Sequence, residues 1–233
     1  MSPARSGTPR ASIAPLLHES LGERVYRTVR DLILSQVFPP GSKLNVEQIC
    51  RDLGVSRTPV WDTMRRLESE GLVNTVPRHG VFVLNYGVDQ IRDLFAVRGA
   101  LEALAVGQAA RNLDAEARAG LAATMKDMER AAGANEMEQY SRAAIEFHDR
   151  VLGAAGNHAL SRLLENVYAQ ILVLRLRSLY LPERVESSLA EHRELFEAVM
   201  AGDAEGGERL ARAHADHVLQ DALEFTRRAE QDR

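Results

Sequence analysis

Residues 44–83 read LNVEQICRDLGVSRTPVWDTMRRLESEGLVNTVPRHGVFV, and the order of elements in this stretch decides the fold. Asn45 is placed to cap a short helix with Val46, Ile49 and Leu53 on its inner side, and Gly54 ends it. Ser56 stands as the cap of the next helix, and Pro59 falls in the first turn, where a missing N–H costs nothing. Val60, Met64 and Leu67 form that helix's inner stripe, and Gly71 stops it. Residues 72–76 and 81–84 then read as two short strands, with Pro77, Arg78, His79 and Gly80 making the turn of a hairpin.

Upstream, from about Glu19, Val25, Val29, Leu32, Ile33 and Gln36 keep the three-four spacing of a helix that buries one face. Pro39, Pro40 and Gly41 stop it. Three helices followed by a hairpin, with Leu53-Gly54-Val55 as the tight turn, is the winged helix-turn-helix plan. After residue 87 the strand signals vanish. Six helical patterns follow, over 89–111, 114–132, 135–155, 158–180, 183–201 and 203–228. The expected fold is mainly α: a mobile tail over 1–18, a winged helix-turn-helix over 19–86, and an all-helical bundle over 87–233.

The chain has 233 residues, 45% of them apolar, enough for two modules with sizeable cores. One cysteine, Cys50, excludes a cystine-stapled fold and a thiolate zinc cluster within one chain. No apolar run approaches the ~18–20 residues of a membrane span, so no membrane partner is expected. The start lacks the apolar centre of a secretory signal, and a cytoplasmic protein is expected. Residues 1–86 hold 11 Lys/Arg against 8 Asp/Glu, and the rest 18 against 25. A positive front and an acidic rear suggest that only the front meets a polyanion.

The third helix presents Ser56, Arg57 and Thr58 at its N-terminal end, with Arg65 and Arg66 further on. A helix entering the major groove of double-stranded DNA reads bases from its first turns and holds phosphates with longer cations. Arg57 is the natural base reader, because its fork can bond both guanine acceptors. Arg78 and His79 at the hairpin tip suit an adjacent groove or phosphate.

The stretch from residue 25 to 83, with PPGSKL, LGVSRTPV, RRLESEGLV and PRHGVFV, resembles the reader domain of the GntR family of bacterial transcription regulators. The resemblance implies DNA contacts by Ser56, Arg57, Thr58, Arg65, His79 and Gly80. Trp61 departs from the arginine usual there, and Gln36 from a glycine. Trp61 either meets a base pair that an arginine would otherwise read, or packs against the second helix.

In the rear module, three predicted helices each place a histidine in their apolar stripe. His148 lies with Tyr140, Ala144, Phe147, Val151 and Leu152. His192 lies with Val185, Leu189, Phe196 and Val199, and His214 with Leu210, His217, Val218 and Phe225. Neutral imidazoles converging in a bundle core suit a divalent metal, zinc or nickel. Arg98 falls inside the stripe of Ile91, Leu94, Leu101 and Ala105, and a buried guanidinium needs an anion. That anion is either a protein carboxylate, such as Glu102 one turn on, or the carboxylate of a bound small molecule.

The stretches FAVRGALEALAVGQAA, EFHDRVLGAAGN, EHRELFEAVMAGDAE and ARAHADH resemble the helical effector domain of the FadR-like branch, called FCD. The resemblance implies a metal held by an aspartate and the three histidines, beside an effector that Arg98 binds. The aspartate position is Ala144 here, which leaves three histidines, with His217 and Asp221 as substitutes to be considered. The reading that follows is a homodimer on a pseudo-palindromic operator that senses a small carboxylate. The near-continuous apolar run Ile171-Leu172-Val173-Leu174 suits a core or a subunit interface. The alternative, a metal-dependent hydrolase with an attached nucleic-acid-binding module, lacks an HExxH motif, a nucleophile elbow and a phosphate loop.

Overall fold

The structure, a computed structural model, describes residues 20–174 and 182–231, without the side chains of 173–174, 182–183 and 225–231. The tail expected over 1–18 and the end of the helix expected over 158–180 lie outside the described residues. Helix α1 spans Leu21–Leu34 and is capped by Ser20, whose hydroxyl accepts from the Glu23 N–H at 3.1 Å. Strand β1, Lys43–Leu44, leads into α2, Val46–Leu53. Asn45 caps α2 by accepting from the Gln48 N–H at 3.0 Å. Gly54 ends it at φ 64, a left-handed turn that a β-carbon would strain.

Helix α3 is Arg57–Ser69, and here a correction is due: Ser56 occupies the cap position, but its hydroxyl makes no capping bond. A cap hydroxyl bonds the N–H of the second or third helical residue; the third is Pro59, which has none, and the Ser56 hydroxyl does not bond the second, Thr58, either. Strands β2, Val73–Val76, and β3, Gly80–Val83, pair antiparallel with Val73 opposite Val83 and Val76 opposite Gly80. The wing carries a third strand that periodicity did not announce: β1 pairs with the other side of β3, giving the order β1-β3-β2. Val25, Val29, Ile33, Val60, Met64, Leu67 and Val81 close a core inside this module.

Six helices follow: α4 Val88–Asn112, α5 Ala115–Gly133, α6 Met137–Ala155, α7 His158–Leu174, α8 Pro182–Ala201 and α9 Ala204–Gln231. Each falls within two residues of its expected start. The lag at α6 has a cause: Asn135 is left-handed at φ 56, and the Glu136 N–H bonds back to Ala131, so 135–136 belong to the turn. Small residues let α4 and α9 approach closely. A β-carbon on Gly99 would sit 3.3 Å from that of Ala215, and one on Gly207 would be 2.6 Å from Val106. Of the apolar run in α7, Ile171 is buried and Leu172 exposed, and the side chains of Val173 and Leu174 lie outside the described residues. Among the described residues no helix is long and apolar enough to cross a membrane.

The two modules meet along α7. Ala169 packs into the reader's core. The Gln170 side chain donates to the Glu70 carbonyl at 3.0 Å, and Tyr86 donates to Gln170 at 2.8 Å and lies 3.0 Å from the Gly71 carbonyl. From the other side, the Tyr26 hydroxyl donates to the Glu70 carboxylate at 2.8 Å. The C-terminal end of α3 is thereby held by α1, by α7 and by the connection between the modules.

Candidate functional site

His148 on α6, His192 on α8 and His214 on α9 come together, because each lies on the inner stripe of its helix. Their ring centroids are 4.8 to 5.4 Å apart, and their candidate donor nitrogens all lie within 4.8 Å of one another. His192 and His214 are 2% and 3% exposed. Phe147 stands edge-on to His148 and His192 and closes one wall.

Two of the three imidazoles have an outward hydrogen-bond anchor. His192 Nδ1 donates to the Ser188 carbonyl at 2.7 Å, and His214 Nδ1 to the Glu191 carboxylate at 2.7 Å. His148 Nδ1 lies 3.8 Å from Glu102 Oε1. An imidazole anchored at Nδ1 turns the lone pair of Nε2 the other way, as metal-ligating histidines do. His148 Nε2 and His192 Nε2 are 3.3 Å apart. Two nitrogens on one tetrahedral zinc, at bonds of about 2.0–2.1 Å, stand about 3.3 Å apart, so this pair is spaced as two zinc ligands are, and the third imidazole offers a nitrogen within 4.8 Å of both. Burial presses His148 down to about 3 and His192 well below its ordinary value, so both rings are neutral donors near pH 7.

Among the described residues no carboxylate or thiolate joins the three. Ala144 lines the site where an aspartate would have supplied a fourth bond. The two substitutes are engaged elsewhere: His217 is exposed and lies 3.1 Å from Glu191, and Asp221 pairs with Arg184.

Arg98 on α4 bonds Glu102 through Nε at 2.8 Å, with both side chains almost fully buried. Of the two anions considered for it, the protein carboxylate is therefore present, and the guanidinium also lines the cavity described below. Burial works to raise the Glu102 carboxyl, but the Arg98 charge beside it prevails and holds it at about 2. Glu102 also accepts from Tyr168 at 2.7 Å, while its Oε2 is buried without a hydrogen bond. Arg184 binds both oxygens of Glu191 at 2.8 Å. Sequence reasoning missed Arg184, Glu191 and Tyr168. Arg184 and Glu191 stand two turns apart on α8, a spacing that puts them on one face. Arg184 and Tyr168 border a cavity of about 440 Å³, whose walls also include the three imidazoles, Tyr140 and Arg98.

In the reader, Arg57, Trp61 and Arg65 follow one another at four-residue steps and form one exposed row along α3. The Arg57 and Arg65 side chains are 72% and 76% exposed, Trp61 is 37% exposed, and Thr58 and Ser56 are exposed beside them. Arg57 rests on Glu47 of α2 at 2.6 Å. Arg78 and His79 are exposed at the wing tip, with Arg78 left-handed at φ 65 and Gly80 following at φ 113. Arg66 turns away from the row: it lies 3.4 Å over the Tyr26 ring and pairs with Glu23 and Glu70, which makes it a packing residue.

Residues 21–83 match the family described as bacterial regulatory proteins, gntR family, and residues 93–217 match the FCD domain. The uncharacterized HTH-type transcriptional regulator YdhC of Bacillus subtilis (strain 168) is 29% identical, over 82% of this chain and 86% of that one. A second uncharacterized HTH-type regulator, from the TAR-I ttuE-ttuC' intergenic region of Agrobacterium vitis, is 33% identical over 56% of this chain and 78% of its own. Among solved structures, McbR/YncC of E. coli superposes with a TM-score of 0.72 at 21% identity, over 91% of this chain and 100% of that one.

Proposed function

Because the chain belongs to the GntR family and carries its FCD domain, and is thus a DNA-binding transcription regulator rather than an enzyme, we propose that it senses a small carboxylate beside a divalent metal ion and reads a pseudo-palindromic operator as a homodimer. The modules are a winged helix-turn-helix over 19–86 and an effector-binding, dimerising bundle over 87–233. The observation that carries the sensing half is the convergence of His148, His192 and His214 in the wall of a cavity that Arg98 also borders. The relatives are regulators, which removes the ground for the hydrolase alternative.

The three histidines would hold zinc or nickel, and the ion, when bound, supplies positive charge that attracts a carboxylate. Ser188 and Glu191 keep the His192 and His214 rings turned, and the Phe147 wall keeps water from one side. On DNA, Arg57 reads a base from the first turn of α3, with Ser56 and Thr58 at the phosphates. Trp61 sits one turn on in the same exposed row and meets the next base pair. Arg65, Arg78, His79 and Gly80 extend the contact along the backbone and into the neighbouring groove.

Full-length protein prepared without chelator is expected to carry about one metal ion per chain by elemental analysis, in keeping with a single three-nitrogen site. The H148A/H192A/H214A variant is expected to carry none. Metal-free wild type, or a variant that keeps its metal, would end the metal-assisted reading. Affinity should lie below that of a site completed by an aspartate, since one bond and one negative charge are missing.

A further inference from the structure

The cavity is not enclosed by the bundle alone: Arg30 and Leu34, from α1 of the reader, form part of its wall. Among the described residues three arginines border it, and they differ in how they are held. Arg98 is bonded to Glu102, and Arg184 to Glu191 and Asp221. Arg30 is half-buried, and among the described residues no carboxylate comes within ion-pair distance of it. Asp149 and Glu165 also face the cavity, but they crowd each other: after burial, Glu165 and Glu146 are what push the Asp149 carboxyl up.

We propose that the effector is a dianion, a small dicarboxylate, whose second carboxylate is held by Arg30, so that one molecule bridges the sensing bundle and the DNA reader. This rests on the sensing function proposed above and adds the class of the ligand and a residue outside the bundle that selects it. A guanidinium that has no carboxylate partner among the described residues, facing a cavity whose other described arginines are already paired, is a carboxylate receptor in waiting.

The consequence for DNA follows from the position of Arg30. It stands one turn after Tyr26, whose hydroxyl donates to Glu70 at the end of α3. Tension on Arg30 is therefore delivered along α1 to the reading helix. Tyr168 and Gln170, two residues apart on α7, tie Glu102 of the bundle to the same Glu70. The bridged and unbridged states differ in where α3 sits, which is what a ligand must bias to change operator affinity.

The test uses zinc-loaded full-length protein, titrated calorimetrically with short straight-chain dicarboxylates and with monocarboxylates of the same length. Wild type is expected to bind the best dicarboxylate at least about tenfold more tightly than its monocarboxylate, the gain of one charge-assisted contact. Arg30→Gln should erase that preference, and Arg30→Lys, which keeps the charge, should retain part of it. Hydrogen exchange over residues 21–34 should slow with the dicarboxylate and not with the monocarboxylate. Equal binding of the two series, or a preference that survives in Arg30→Gln, overturns the bridge and leaves the sensor standing. Absence of binding by every carboxylate in wild type overturns the sensing function itself, and the bridge with it.

Discussion

Replacing Arg98 by alanine is expected to cost the folded chain about 3–5 kcal/mol, measured by urea denaturation at pH 7. The pair it forms with Glu102 is 7% and 4% exposed, so deleting the cation strands a carboxylate in the core instead of returning it to water. Tyr168 is then the remaining hydrogen-bond donor to Glu102, and Oε2 already lacks one. In wild type the folded carboxyl sits at about 2, below its unfolded value. That stabilisation is fully present above the unfolded value near 4.3 and is lost as pH falls toward 2. In Arg98→Ala the opposing influence, burial, is left in charge and raises the carboxyl above its unfolded value. The variant should therefore regain stability on acidification while wild type loses it, and the gap between them should close from both sides. A gap constant from pH 7 to pH 4 would show that Glu102 is not the group responsible.

Stability and sensing can be separated at this pair. Arg98→Met with Glu102→Leu exchanges two buried charges for apolar groups of similar size, a replacement that is often neutral or stabilising. That double variant should unfold near the wild-type midpoint yet lose carboxylate binding. Recovery of both would reduce Arg98 to a strut.

The helices were legible because burial of one face leaves a three-four rhythm, and all nine described helices have one face buried against a core. Strand β1 was not, since two residues, Lys43 and Leu44, carry no period at all. Ser56 holds the cap position its sequence suggests, but a capping bond needs a second residue, and Pro59 removes one of the two N–H groups that could supply it. The metal candidates could be read from three stripes, since His148, His192 and His214 each sit among apolar residues on an inner face, although the same reading also takes in His217, which is exposed. Their anchors could not, because Ser188 offers a backbone carbonyl and Glu191 joins His214 across 23 residues and between two helices. Arg66 and Arg30 show the limit most plainly. In the sequence Arg66 stands beside Arg65 on the DNA-facing helix and Arg30 has no assigned role, and only the placement of α1 shows one lying over Tyr26 and the other in the wall of a cavity.

Arg57→Ala is expected to remove specific DNA recognition while sparing the fold. A bidentate arginine–guanine contact discriminates by about 1–3 kcal/mol, and a two-fold operator uses it twice, so about 2–6 kcal/mol is at stake. The ion pair with Glu47 does not compete seriously: both side chains are more than 60% exposed, and such surface pairs contribute at most about 1 kcal/mol. Loss of that pair should leave the unfolding midpoint nearly unmoved, which separates the DNA effect from a folding effect. Binding should be measured at several salt concentrations on an operator and on unrelated duplex. Arg57→Ala should fall to the affinity of unrelated duplex, whereas Arg65→Ala should weaken both duplexes alike and lower the salt slope by about two charges, one per protomer. Trp61→Ala should weaken the operator alone, because an indole carries no charge for phosphate and acts through base edges and thymine methyls. Unchanged operator affinity of Arg57→Ala at fixed salt would remove this residue from the reading surface, and the exposed row along α3 would then have to be read from Trp61.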